Sequence, residues 1–261
     1  MRRIKKAWLG HCVLLLSLLV TGFLHSGSLA VEYRVGLCFH GCPEGASSDN
    51  HLLLRPIYAL SYNTQTKSAD WVAYKVSADS IGIASSLSRV PLPDNFVSDT
   101  LLEADFLQLE GSGMSRSQYV PMVNFASTPY WNEVNFLTNF VARSSALNQG
   151  AWNGLDWAIR NLVSRENAVF VITGPVYKSV PEVPQLNISK PHRVPDAFFK
   201  IVVTESGLGT AFLLDQNVPV YLHHCDLRTS IEEIERATGL NFFPQAPQQS
   251  FAPLDAQLGC S

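Results

Sequence analysis

Residues 148–163 constrain the fold more than any other stretch. Trp152, Leu155, Ile159 and Leu162 recur at steps of three and four, which gives a helix one apolar face. On the same helix Asn148, Asp156 and Arg160 are related by multiples of four and form a slowly drifting polar strip. Asp156 precedes Arg160 at i,i+4, the favourable order for an ion pair within a helix. Periodicity alone therefore predicts a continuous helix from about Asn148 to Val163 with a surface ion pair.

Apolar, aromatic and β-branched runs bounded by Gly, Pro, Asn and Ser predict strands at 33–39, 58–62 and 71–76. The continuous apolar run at 168–173 suits a buried strand. A strand pair is expected at 197–203 and 211–214, turning through Glu205-Ser206-Gly207. Thr229 with Glu232 reads as a capping box for a short helix that Gly239 ends. The cluster Ser115-Arg116-Ser117-Gln118 reads on its own as a polar turn leading into Val120-Pro121-Met122. No internal repeat or linker divides the chain.

The first thirty residues follow the three-part pattern of a secretory signal. Arg2, Arg3, Lys5 and Lys6 are followed by an apolar run from Ala7 to Phe23, and Ser28-Leu29-Ala30 supplies small residues for cleavage. A retained membrane anchor is the competing reading, disfavoured by a short run broken at His11, Thr21 and Gly22. The expected product is residues 31–261, one domain exported to periplasm or medium with no membrane anchor. Its charge bears on function. The whole chain is −3, with 19 basic and 22 acidic residues. Four of the basic residues and no acids lie in the leader, so the remainder carries −7. A protein that merely coats nucleic acid is usually basic, so any contact with nucleic acid must be local. Residues 114–165 supply such a place, with Arg116, Arg143, Arg160 and Arg165 against Glu133 and Asp156.

Removal of the leader leaves four cysteines. Export favours the pairs Cys38–Cys42 and Cys225–Cys260. A metal site remains the alternative, because His40, His223 and His224 stand beside these cysteines.

Several short motifs, in order, carry a resemblance across nearly all of residues 31–261. They are Cys38-Phe39-His40-Gly41-Cys42-Pro43, Trp71-Val72-Ala73-Tyr74, Ala146-Leu147-Asn148-Gln149-Gly150-Ala151-Trp152 and Thr173-Gly174-Pro175-Val176-Tyr177. Ile231-Glu232-Glu233-Ile234-Glu235-Arg236-Ala237-Thr238-Gly239-Leu240 and the final cysteine complete the set. Together they resemble the DNA/RNA non-specific endonucleases of the ββα-metal class, Serratia nuclease type. The resemblance implies a single α+β domain with a central antiparallel β-sheet flanked by helices and a ββα-metal active-site motif. It implies hydrolysis of DNA and RNA phosphodiesters assisted by one Mg²⁺ ion, held through Asn148 and waters. It also allows a homodimer.

Carried over residue by residue, the metal-holding Asn falls on Asn148 and the supporting Asn on Asn139. The acid that orients metal waters falls on Asp156, where the family has Glu. The helical Arg falls on Arg160, the Arg of the family's Asp-Arg-Gly-His signature on Arg116, and a further phosphate-contacting Arg on Arg89. The signature itself departs from the family, because Ser115-Arg116-Ser117-Gln118 stands in its place. Gln118 thus occupies the general-base position, and an amide has no usable basic lone pair near neutral pH. A positioned base contributes about 10²–10⁴ in rate, or about 3–5 kcal/mol of barrier. Cleavage is expected to be severely reduced. The alternative is a non-catalytic pseudo-nuclease that binds nucleic acid or a protein partner.

Overall fold

The computed structural model describes residues 36–109, 111–246 and 249–261. The signal-peptide expectation over residues 1–30 lies outside the described residues. In chain order the strands are β1 (His51–Leu54), β2 (Ala59–Asn63), β3 (Ser68–Ser77), β4 (Met114–Gln118), β5 (Phe140–Ser144), β6 (Ala168–Val176), β7 (Ala197–Thr204), β8 (Leu208–Asp215), β9 (Arg228–Thr229) and β10 (Ala252–Pro253). The helices are α1 (Glu103–Phe106), α2 (Ser145–Leu147), α3 (Asn153–Val163) and α4 (Ile231–Thr238).

One sheet runs in the order β1-β2-β3-β6-β7-β8-β10, with β9 also on β8. Every pairing in it is antiparallel except β10 with β8. β6 and β7 are buried along their whole length because both faces of the sheet are covered. Alternation sorts their side chains. Val169, Val171, Phe198 and Val202 face the core that contains Leu155, Ile159 and Leu162 of α3. Phe170, Ile172, Phe199, Ile201 and Val203 face the opposite core, closed by Ile234 of α4 and by Phe242. β4 and β5 form a separate two-stranded ribbon, with Arg116 opposite Ala142 and Gln118 opposite Phe140. The α+β architecture inferred from the resemblance is therefore the one observed.

Local structure corrects four expectations. Residues 36–39 form turns instead of a strand. The Cys38–Cys42 disulfide closes a tight loop there, and His40 and Gly41 take positive φ angles of 52° and 91°. The expected helix from Asn148 does not run unbroken, since residues 148–152 form a wider π-type turn in which Gly150 is non-helical (φ −91°, ψ −111°). A Cβ on Gly150 would lie 2.3 Å from the carbonyl oxygen of Val220, so the approach of that backbone requires glycine. The cap of α4 is Ser230, whose hydroxyl accepts from the Glu233 amide at 3.1 Å. Thr229 instead belongs to β9 and bonds to the Glu233 carboxylate at 2.6 Å. Finally, Ser115 to Gln118 form strand β4 and not a turn.

The second disulfide, Cys225–Cys260, ties the turn at His224–Leu227 to the C-terminus. With both pairs formed, neither pair of sulfurs is available as thiolate ligands. His223, His224 and Cys225 do cluster, but Cys225 is in a disulfide, so the metal alternative at the cysteines falls away. No helix among the described residues is long and apolar enough to cross a membrane.

Burial holds the phenols of Tyr58, Tyr62, Tyr74, Tyr119 and Tyr177 well above their ordinary value of 10.0. An unfolded chain would ionise them near that value while the folded chain keeps its protons. Their contribution is therefore complete below pH 10 and lost as pH rises beyond it. The expected outcome is cooperative alkaline unfolding, with tyrosinate absorbance from these five side chains appearing together with loss of near-ultraviolet dichroism. Their ionisation with the dichroism intact would contradict this burial.

Candidate active site

The ribbon and the start of α3 bring the expected residues together. Ser144 ends β5 and caps α2, accepting from the Leu147 amide at 3.4 Å, and the chain turns at once into Asn148. The result is a cleft of about 410 Å³ lined by Arg89, Arg116, Gln118, Asn148, Asp156 and Arg160, with Arg143 and Trp152 at its floor. A larger groove of about 720 Å³ lies beside β8 and α4 but contains none of these residues. The smaller cleft is the better candidate because chemistry-bearing groups from four segments converge on it.

Gln118 is firmly oriented. Its Nε2 donates to the Val134 carbonyl at 2.8 Å and to Asn135 Oδ1 at 3.3 Å. Reversing the amide would set its oxygen against two acceptors, so Nε2 is the atom that makes these contacts. Asn135 is itself buried. Its Nδ2 donates to the Ser88 carbonyl at 2.8 Å, and its backbone oxygen accepts from Leu92 at 2.7 Å. It thereby couples Gln118 to the loop that carries Arg89. Asn135 had no assigned role, although its place four residues before Asn139 offered a signal.

Asn139 does not line the cleft. It is wholly buried, and its amide bridges the Val120 backbone and the Val134 carbonyl, accepting at 2.9 Å and donating at 3.2 and 2.8 Å. It braces the turn after β4 and acts on the cleft through that backbone.

The i,i+4 ion pair expected between Asp156 and Arg160 is not formed. Asp156 is buried on α3 and pairs with the Nζ of Lys200 on β7. The even positions of β7 face α3, so Lys200 emerges beneath Asp156 and has no solvent to compete for it. Burial pulls the Lys200 ammonium down to about 8, against the opposing attraction of Asp156. Arg160 is left half-exposed at the cleft and makes no ion pair among the described residues. Arg116 pairs with exposed Glu103 at 3.2 Å, a contact that solvent weakens, and its guanidinium lies 5.2 Å from the Phe140 ring. Arg89 is exposed, with one long contact of 3.5 Å to the Ala84 carbonyl.

Sequence reasoning also passed over Lys200. A lone cation inside the apolar strand Ala197–Thr204 is the signal that could have found it, since burial demands an acidic partner. None of the histidines among the described residues lines the cleft. Asn148 and Asp156 both border the cleft and carry the oxygen donors that suit a hard, largely hydrated divalent ion, with Arg143 already donating to Asn148 Oδ1 and Lys200 paired with Asp156.

The chain is similar in sequence to known nucleases. The DNA/RNA non-specific endonuclease family matches residues 41–249. The nuclease of Serratia marcescens is 32% identical over 230 residues, covering 85% of each chain. A nuclease of Nostoc sp. is 26% identical over 239 residues, covering 83% of this chain and 82% of its own. Bovine mitochondrial endonuclease G is 28% identical over 207 residues, covering 73% of this chain and 68% of its own. In fold, a chain from the crystal structure of the EndoG/EndoGI complex superposes with a TM-score of 0.66 at 20% identity, covering 86% of this chain and 97% of that one. The extent of the family match and the identity to the Serratia marcescens protein establish that the chain belongs to the DNA/RNA non-specific endonuclease family.

Proposed function

We propose that this chain is an exported nuclease-family protein whose cleft binds a divalent ion, Mg²⁺, and the phosphodiester backbone of DNA and RNA. Its cleavage is severely reduced because Gln118 stands where a general base is needed. The observation that carries this reading is the Gln118 amide at the cleft, with Nε2 bound to Val134 and Asn135 and a neutral oxygen as its other polar atom.

The surrounding charge supports phosphate binding. Four arginines border the cleft against one carboxylate, and Lys200 already neutralises that carboxylate. Arg160 and Arg116 present guanidinium groups suited to phosphate oxygens, and Arg89 extends the same surface. Asn148 would hold the ion through its side-chain oxygen, and Asp156 would orient its waters. When bound, a divalent ion supplies charge neutralisation and orientation at the scissile phosphate. Gln118 Oε1 can accept a hydrogen bond from water and so aim it, but cannot take its proton near neutral pH. Attack then depends on hydroxide from solution, and the base's contribution of about 10²–10⁴ in rate is missing. Arg116 and Arg160 remain to stabilise charge building on phosphorus. The basic, apolar and small-residue order of the first thirty residues supports export.

The test incubates the purified protein with plasmid and RNA, in Mg²⁺ or EDTA. Gln118→His should raise Mg²⁺-dependent cleavage by about a hundredfold or more. The Val134 and Asn135 acceptors would hold an imidazole by one nitrogen and leave the other to act as base. No gain would move the defect to Ser115, Ser117 or the wider geometry. Robust Mg²⁺-dependent cutting by the unmodified protein, abolished by Asn148→Ala, would contradict reduced activity outright. Asn139→Ala is expected to act through the fold, costing about 2–4 kcal/mol in urea unfolding as its backbone partners lose their bonds. Unchanged stability would show that Asn139 is not the brace described above.

A further inference from the structure

Arg143 is the one charged residue at the cleft floor without a role in the chemistry above. Its side chain is wholly buried yet borders the cleft. The guanidinium lies over the Trp152 ring, with Cζ 3.4 Å from the centroid, and 4.9 Å from that of Phe198. Nη1 donates to Asn148 Oδ1 at 3.0 Å, and Nη2 donates to the backbone oxygen of Gln118 at 3.1 Å. One cation therefore joins the residue expected to hold the metal to the residue at the general-base position. Its Nε has no partner among the described residues. Lys200 neutralises Asp156 nearby, so no acid of the cleft is left to balance Arg143.

The consequence follows from sharing one oxygen. Asn148 Oδ1 has two lone pairs, and a guanidinium already occupies one of them. A divalent ion binding the other would sit close to a fixed positive charge in surroundings that screen it poorly. An anion entering the same space would be attracted by that charge. A guanidinium keeps its charge at neutral pH.

We propose that Arg143 is a resident cation that supplies, at Asn148, part of the positive charge a divalent ion would bring. The cleft then holds nucleic-acid phosphate without a divalent ion and takes the divalent ion weakly. The inference rests on the phosphodiester-binding reading of the cleft and adds that binding and metal are uncoupled.

Two measurements on the purified protein test it at constant ionic strength. One is fluorescence anisotropy of a labelled single-stranded oligonucleotide in EDTA and in Mg²⁺; the other is calorimetric titration with MgCl₂ alone. The unmodified protein should bind the oligonucleotide equally well in both conditions. Arg143→Gln, which keeps an amide donor for Asn148, should weaken binding in EDTA and tighten Mg²⁺ binding, each by about tenfold or more. A purely structural role would not move the two affinities in opposite directions. Oligonucleotide binding by the unmodified protein that requires Mg²⁺ would overturn the inference while leaving the phosphodiester reading intact. Opposite shifts failing to appear in a folded Arg143→Gln would overturn it as well. If that variant does not fold, the comparison on the unmodified protein decides the matter. Absence of oligonucleotide binding in either condition would defeat the phosphodiester reading itself, and the inference with it.

Discussion

The cleft depends on the burial of two cations against one indole. Arg143 Cζ lies 3.4 Å and Lys200 Nζ 3.7 Å from the Trp152 ring centroid. Arg143 reaches the ribbon and Asn148; Lys200 reaches up from the sheet to Asp156 on α3. Charge taken out of water must be matched by nearby oxygen or aromatic faces, and removing one partner of a buried pair typically costs about 3–5 kcal/mol. These contacts therefore bind three structural units into one arrangement. They join the β4–β5 ribbon, the turn entering α3 and strand β7, and they set the cleft's geometry from below.

Above that floor the polar groups divide by what they touch. Asn139 and Asn135 are buried among backbone partners and hold other residues in place. Asn148, Arg160, Arg116 and Gln118 face the cleft. Gln118 combines the two, with one end of its amide held by the fold and the residue itself lining the cleft. Its donor end is held by Val134 and Asn135. Its acceptor end is an amide oxygen without usable basicity near neutral pH, which is why cleavage is proposed to be reduced.

Much of this could be read from the sequence where the signal was local. The apolar face of Trp152, Leu155, Ile159 and Leu162 is buried as its spacing requires. Asn148, Asp156 and Arg160 do meet at one cleft, and the motif order pointed to the family. What escaped depends on contacts distant in sequence. Periodicity joined Asp156 to Arg160 because it compares only neighbours on one helix; Lys200 lies 44 residues away and wins because it is buried with the carboxylate. The break at Gly150 likewise arises from the approach of Val220, which no helical pattern contains. Strand β4 was hidden because Ser115 to Gln118 lack an apolar run and gain their extended form by pairing with β5. The turn at 36–39 reflects a disulfide loop too tight for the extended chain that its apolar residues suggested.

The cleft is proposed to hold a phosphodiester platform without a side chain able to take the water's proton. The most direct measurement is the Mg²⁺-dependent cleavage rate as a function of pH, taken below the onset of alkaline unfolding. Dependence on solution hydroxide predicts a rate that climbs about tenfold per pH unit without levelling. A rate that rises and then reaches a plateau around neutral pH would reveal a working base in the cleft, and Gln118 would not mark a missing base.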